Sequence, residues 1–300
     1  MLGHRIADRY PRTPEGWTLL SRREAGPFTT RVEYRKPDGE VAVWESRFHR
    51  KHASRLSRSD NRRGSRLWSP HRASWWIGVL FAIGSACFFV GPFPGFINLV
   101  GSSADGVVFF VGSLFFTSAA LLQYLEAANA DRDLTGSRWH TRMRLLTFEP
   151  RRIDWWATLI QLVGTLYFNV DTFRAMQDSF DTSDVDRLVW RPEAFGSICF
   201  LIAGLLAYLE VRGGGVMHAK RTLEWKIATV NFAGCILFGV STVGGYVLPS
   251  TGDALDLAIA NAGTALGALC FLIGAVMLLP EAAQPRQGAD AGPAPRANAA

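Results

Sequence analysis

Lysine, arginine and histidine are missing from the middle of every long apolar run in this sequence, and that absence excludes more than any motif does. Proton-coupled pumping across a bilayer depends on ionisable groups held within the spans, and no pair of carboxylates is expected mid-membrane either. All six histidines, His4, His49, His52, His71, His140 and His218, fall outside those runs, which argues against a membrane-embedded bis-histidine haem. His49 and His52 sit in basic sequence with no cysteine or carboxylate at metal-ligand spacing, so no metal centre is expected. Cysteine is sparse. Cys87, Cys199, Cys235 and Cys270 stand singly inside apolar stretches, as small core residues do. Phosphate-loop, zincin and nucleophile-elbow patterns do not occur, and Met1 to Thr30 holds no apolar signal region. No catalytic residue, metal ligand or cofactor is assigned, and the chain is read as non-enzymatic.

What is present is strongly segregated. Residues 1–72 are polar and basic, whereas 75–279 hold nearly all the long apolar runs. Six runs, at about 75–97, 106–125, 155–174, 193–209, 225–248 and 257–279, approach or exceed the ~20 residues that carry a helix across a hydrocarbon layer roughly 30 Å thick. They lack the period-two alternation of a barrel. The expected fold is therefore an all-α membrane protein with six transmembrane helices, whose partner is the lipid bilayer. Arg132, Arg138, Arg142, Arg144, Arg151 and Arg152 fall between the second and third runs, and Arg212, Lys220 and Arg221 between the fourth and fifth. The alternate loops are acidic, with Asp178, Asp181, Asp184 and Asp186, then Asp253 and Asp256. Basic loops stay in the cytoplasm, so a multi-pass protein of the cell membrane with both termini inside is expected.

In the N-terminal region, Lys36-Pro37-Asp38-Gly39 reads as a turn between alternating stretches and predicts a β-hairpin over 29–46. Residues 50–72 form a polybasic tract with Arg50, Lys51, Arg55, Arg58, Arg62, Arg63, Arg66 and Arg72. The tract reads either as a solvated linker that enforces topology or as a clamp for anionic lipids. Nucleic acid is not an expected partner, because no aromatic residues interleave the basic ones. The stretch 282–300, rich in alanine, proline and glycine, reads as a disordered tail.

The membrane region repeats itself three times, over about 73–130, 151–212 and 221–281. In the first helix of each unit, Trp75, Trp155 and Trp225 precede Gly84, Gly164 and Gly234 by nine residues, and Phe88, Phe168 and Phe238 follow by four. In the second helix, Gly112, Gly196 and Gly267 are followed at four by Phe116, Phe200 and Phe271, at seven by Ala119, Ala203 and Gly274, and at fourteen by Glu126, Glu210 and Glu281. A unit of two spans returns the chain to its starting side, so the units are parallel repeats about an axis along the membrane normal. Glycine, phenylalanine and the small residue share one helix face, as close packing in lipid requires. The tryptophans suit an interfacial belt. Arg72, Arg152 and Arg221, just upstream of the tryptophans, predict a ring of Glu–Arg contacts with Glu126, Glu210 and Glu281.

Gly84-Ser85-x-x-Phe88, Gly112-Ser113-x-x-Phe116 and Gly196-Ser197-x-x-Phe200 resemble the YrhK-like family of small membrane domains, over about residues 70–280. The resemblance implies two-helix hairpin units in a membrane and no particular activity. A likeness to mitochondrial carriers fails, since their Pro-x-acid-x-x-base motif after each odd span is missing. Two functions stay open: a structural or accessory membrane protein, and a small-solute channel or transporter along the pseudo-threefold axis. Gln161, Asn169 and Asn231 would line the second, or would simply bond between helices. A phenylalanine-closed axis favours the first reading, and a water-accessible cavity lined by those amides favours the second.

Overall fold

A computed structural model describes residues 13–52, 67–130, 143–177, 185–212 and 222–283. At the N-terminus, β1 (Thr18–Ala25), β2 (Phe28–Arg35) and β3 (Val41–Glu45) form one antiparallel sheet in that order. Gly26, at φ 59°, opens the two-residue turn between β1 and β2, where a side chain would be strained. The expected hairpin is β2–β3. Strand β1 was not expected, because two register shifts break its alternation and leave its leucines, Leu19 and Leu20, exposed. Val32, Tyr34 and Trp44 make a small core, with Trp17 edge-on to Tyr34 at 6.1 Å. Strand β3 then runs directly into α1 (Ser46–His52).

The remaining elements are helical: α2 (Ala73–Val90), the short α3 (Pro94–Val100), α4 (Ser102–Ala128), α5 (Ile153–Ala175), α6 (Arg191–Arg212), α7 (Leu223–Gly244) and α8 (Leu257–Ala283). A π-helical turn, Asp186–Trp190, leads into α6. Five helices are long and apolar enough to cross a membrane: α2, α4, α6 with its leading turn, α7 and α8. Helix α5, at 23 residues, has the length but carries Asp154, Gln161, Asn169, Asp171 and Arg174. Helices α2, α4, α5, α6, α7 and α8 each pack on the next, and α8 closes onto α2. The result is a closed six-helix ring.

Phenylalanine fills its axis in two layers. Phe88, Phe168 and Phe238 form one triangle, with ring centroids 6.5, 6.1 and 6.0 Å apart. Phe116, Phe200 and Phe271 form the next, at 6.4, 5.9 and 6.2 Å. The layers are joined by Phe88–Phe116 at 5.7 Å, Phe168–Phe200 at 5.0 Å and Phe238–Phe271 at 5.4 Å. Most of these pairs are edge-to-face, the arrangement that ring quadrupoles favour.

This packing is possible because glycines face each other across the helix pairs α2/α4, α5/α6 and α7/α8. A Cβ on Gly84 would stand 2.8 Å from the carbonyl oxygen of Gly112 and 2.5 Å from the Phe116 ring. One on Gly164 would meet Phe200 and Cys199 at 2.9 Å, and one on Gly234 would meet the Gly267 carbonyl at 3.1 Å. Each helix thus lays its phenylalanine over its partner's glycine.

Away from the axis the bundle is aliphatic on every side. Ile83, Leu114, Leu166, Ile202, Val240 and Ile273, one from each helix of the ring, are all exposed. The expected tryptophan belt needs correction: Trp75 and Trp155 are buried and Trp225 is half-buried. Their neighbours face outward instead. The indole of the exposed Trp76 donates to the Pro70 carbonyl at 2.9 Å, and that of Trp156 to Pro150 at 3.1 Å. Two adjacent tryptophans cannot share one helix face, and the inner one packs edge-on against Trp68 or Phe148.

Substituting Gly164 with alanine should therefore destabilise the folded bundle by about 1–3 kcal/mol, as overpacking does. Gly95→Ala in α3, where a Cβ meets nothing within 4 Å, is the control, and unfolding in mixed micelles is the measurement. Equal stability of the two variants would contradict the interlock.

Candidate functional site

Helix α1 sits across one end of the ring, against α4, α5 and α6. Beneath it lies a cavity of about 100 Å³. Its floor is the Phe116, Phe200 and Phe271 layer, its lid is Arg47, Arg50 and Lys51 of α1, and its walls include Ser74, Gln123, Glu126, Thr158, Gln161 and Asn231. Phe81, Gln161 and Asn231 stand three residues before the glycines of α2, α5 and α7, and all three face the chamber. A water needs roughly 10–15 Å³ on this kind of measure, so the space holds several waters or one small molecule.

Two of the three amides expected to line a polar path are here. Asn169 is not: it accepts a hydrogen bond from Thr117 at 3.1 Å, outside the chamber. The basic tract also needs correction at its start. Arg50 and Lys51 were expected in solvated sequence, yet Arg50 is buried and Lys51 half-buried at the mouth of the bundle; residues 53–66 lie outside the described residues. Their signal in the sequence was an i, i+3, i+4 cationic face, Arg47, Arg50 and Lys51, following a strand.

The three glutamates end their helices at this mouth, with relative exposures of 2% for Glu126, 7% for Glu210 and 4% for Glu281. Carboxylates at helix C-termini face an unfavourable dipole, and α1 supplies the compensation. Glu281 pairs with Arg47 at 3.3 Å and with Lys51. Burial, reinforced by the neighbouring Arg47 charge, pulls the Lys51 ammonium down to about 8. Glu126 accepts from Ser74 Oγ at 2.8 Å. Glu210 feels Arg50 and Arg47 through space and has the Ser46 hydroxyl beside it.

The bases named for the Glu–Arg ring are placed one residue along. Arg152 donates to the Ala127 carbonyl at 2.9 Å and pairs with Asp154, and Arg72 donates to the Ala282 carbonyl. Each guanidinium caps the carbonyl just after a glutamate, where a helix end leaves acceptors unsatisfied. Arg221 lies outside the described residues.

The opposite end of the bundle holds a second polar cluster. Asp171 of α5, which is buried, and Glu193 of α6, which is half-buried, interact electrostatically. The pair lies at helix ends, not in the middle of the apolar runs, where none was expected. Sequence reasoning missed it because the two stand 22 positions apart near opposite helix ends. Thr242 Oγ1 donates to Glu193 at 3.1 Å and lies 2.7 Å from Ser197 Oγ.

No protein-family description, curated protein or solved structure matches this chain.

Glu281→Gln removes the buried carboxylate that Arg47 and Lys51 share, a loss of up to about 3–5 kcal/mol in buried pairs. The expected result is undocking of α1, read as rapid tryptic cleavage after Arg47, Arg50 or Lys51 where the parent chain resists. Unchanged protection would mean that the Glu281 pairs do not hold the lid.

Proposed function

We propose that the chain is an integral membrane protein of six spans, three parallel two-helix units around an axis along the membrane normal, acting as a closed accessory module of the cell membrane and not as a conduit. The double phenylalanine layer on that axis is the observation that carries this reading. Ring centroids 5.0–6.5 Å apart leave no continuous aqueous path. On the far side of the chamber floor lies a space of about 10 Å³ among Phe88, Phe168 and Phe238, with Ser113 and Thr165 beside it.

The place of α5 in the ring supports its being the sixth span. Its outer face, Val163, Leu166, Val170 and Phe173, is as aliphatic and exposed as its neighbours', while its polar residues Asp154, Asp171 and Thr172 are buried. The α1 end carries seven cations, Arg47, Arg50, Lys51, Arg72, Arg144, Arg151 and Arg152, whereas the other carries Arg174, Arg187 and Arg191 with Asp105, Asp171, Asp186, Glu193, Asp253 and Asp256. That asymmetry favours the α1 end as the cytoplasmic one. The Gly-Ser-x-x-Phe likeness to YrhK-like domains agrees with hairpin units.

Proteoliposomes of the purified chain should show no flux of potassium, chloride or glycerol above that of empty vesicles. Flux that Asn231→Leu abolishes would replace this reading with a solute channel entered through the chamber. Topology has its own test, in a background with the native cysteines changed to alanine. Asp253→Cys should react with a membrane-impermeant maleimide on intact cells, and Glu15→Cys only after permeabilisation. The reverse pattern would invert the orientation.

A further inference from the structure

We propose that the chamber beneath α1 is a binding site for a small aliphatic carboxylate, gripped by Arg50. The first ground is an open guanidinium. Arg50 has a relative exposure of 3%, lines the cavity, and makes no hydrogen bond or ion pair among the described residues. The other two lid cations, Arg47 and Lys51, are engaged by Glu281. Glu210 attracts Arg50 through space without a hydrogen bond between them, and the hydroxyl beside Glu210 is that of Ser46, so the planar fork of donors is not locked onto it. A guanidinium fork matches a carboxylate in two parallel hydrogen bonds, a fit that an ammonium lacks.

The second ground is the rest of the lining, where the carboxylate of Glu126 already accepts from Ser74 Oγ at 2.8 Å. The side-chain amides of Gln123, Gln161 and Asn231 face the same space and make no hydrogen bonds among the described residues, with Gln123 Oε1 fully buried. Buried polar groups rarely stay unpaired, and these await a guest or water. The opposite wall is apolar: the rings of Phe116, Phe200 and Phe271. A charged head at Arg50 with a short hydrocarbon body on the rings satisfies both ends, as small-molecule sites generally require.

Size narrows the class. An engineered cavity of about 150 Å³ accepts benzene, and this one, at about 100 Å³, suits a guest of the size of acetate to butyrate. Benzoate is too large. Charge selects against the neutral amide of the same shape, because propionamide would leave Arg50 without a partner. The inference needs only the chamber and the lid; it does not depend on whether the axis is closed, since binding is read at equilibrium without flux.

The test uses the full chain in detergent, with propionate as the probe. Propionate at about 10 mM should raise the melting temperature, as a ligand of the folded state does, and give a saturation-transfer signal in proton NMR. Propionamide and benzoate should do neither. Arg50→Gln should abolish both responses. Because that variant could lose α1 docking, Ala203→Leu, which fills the chamber and leaves every charge in place, provides the second arm and should also abolish them. A folded parent chain that ignores propionate overturns the proposal, and so does a response that survives in Ala203→Leu.

Discussion

Backbone contact between paired glycines sets everything else in this bundle. In lipid there is no hydrophobic force between helices, so association rests on how closely their surfaces approach. Gly84 and Gly112 bring the backbones of α2 and α4 together until each carbonyl sits where the other's Cβ would be, and Gly234 and Gly267 repeat the arrangement in α7 and α8. The groove left by the missing side chain is filled from the partner, by Phe116 over Gly84 and Phe200 over Gly164. The same glycines thus bring the helices close and aim six phenylalanines at the axis. Cys87, Cys199 and Cys270 fill the rest of the groove, which explains single cysteines in apolar sequence without any redox role.

A second set of contacts joins one helix pair to the next, and here the three junctions differ. Ser113, next to Gly112, meets Thr172 of α5 at 3.1 Å, and Ser197, next to Gly196, meets Thr242 of α7 at 2.7 Å. At the third junction, where α8 closes onto α2, the corresponding positions are Ala268 and Pro92. Both members of the pair are replaced together. Losing one hydroxyl alone would leave the other buried and unsatisfied, whereas losing both is nearly neutral. Closure of the ring therefore rests on shape at that seam: Gly78 of α2 lies tight against Leu278, Leu279 and the Ala275 carbonyl.

How much was legible in the sequence followed from whether a residue's role was local. The glycine and phenylalanine register was readable because every helix pair has to solve the same packing problem with the same residue types. Which of two adjacent tryptophans faces inward was not readable, since Trp75 and Trp76 are chemically identical and only the helix rotation decides. Helix α1 was hidden for another reason. Arg47, Arg50 and Lys51 look like solvated charge until a carboxylate more than two hundred residues away, Glu281, is brought beside them. The Asp171–Glu193 pair was missed likewise, because no spacing rule links the ends of consecutive helices. Gln161 and Asn231 were found as polar exceptions in apolar runs, but that criterion also picked Asn169, whose hydrogen bond to Thr117 is interhelical. Polarity alone does not separate a cavity wall from a seam.

The glutamates show why the chamber exists at all. An acid at the C-terminal end of a helix opposes the dipole, and burying it raises the cost. Three of them converge on one mouth, which makes an uncapped bundle electrostatically poor. Arg72 and Arg152 relieve the adjacent carbonyls. The relief for Glu281 comes from a helix outside the ring, Arg47 and Lys51 of α1, and the sheet and short connection that carry α1 tie that compensation to the N-terminal region. Arg47 and Lys51 end at Glu281 and leave the space beneath the lid to be lined by Arg50. The phenylalanine layer stops the cavity from below. What remains between the two is a chamber with a cation above, amides around it and aromatic rings beneath, a shape that follows from satisfying the helix ends and packing the axis separately.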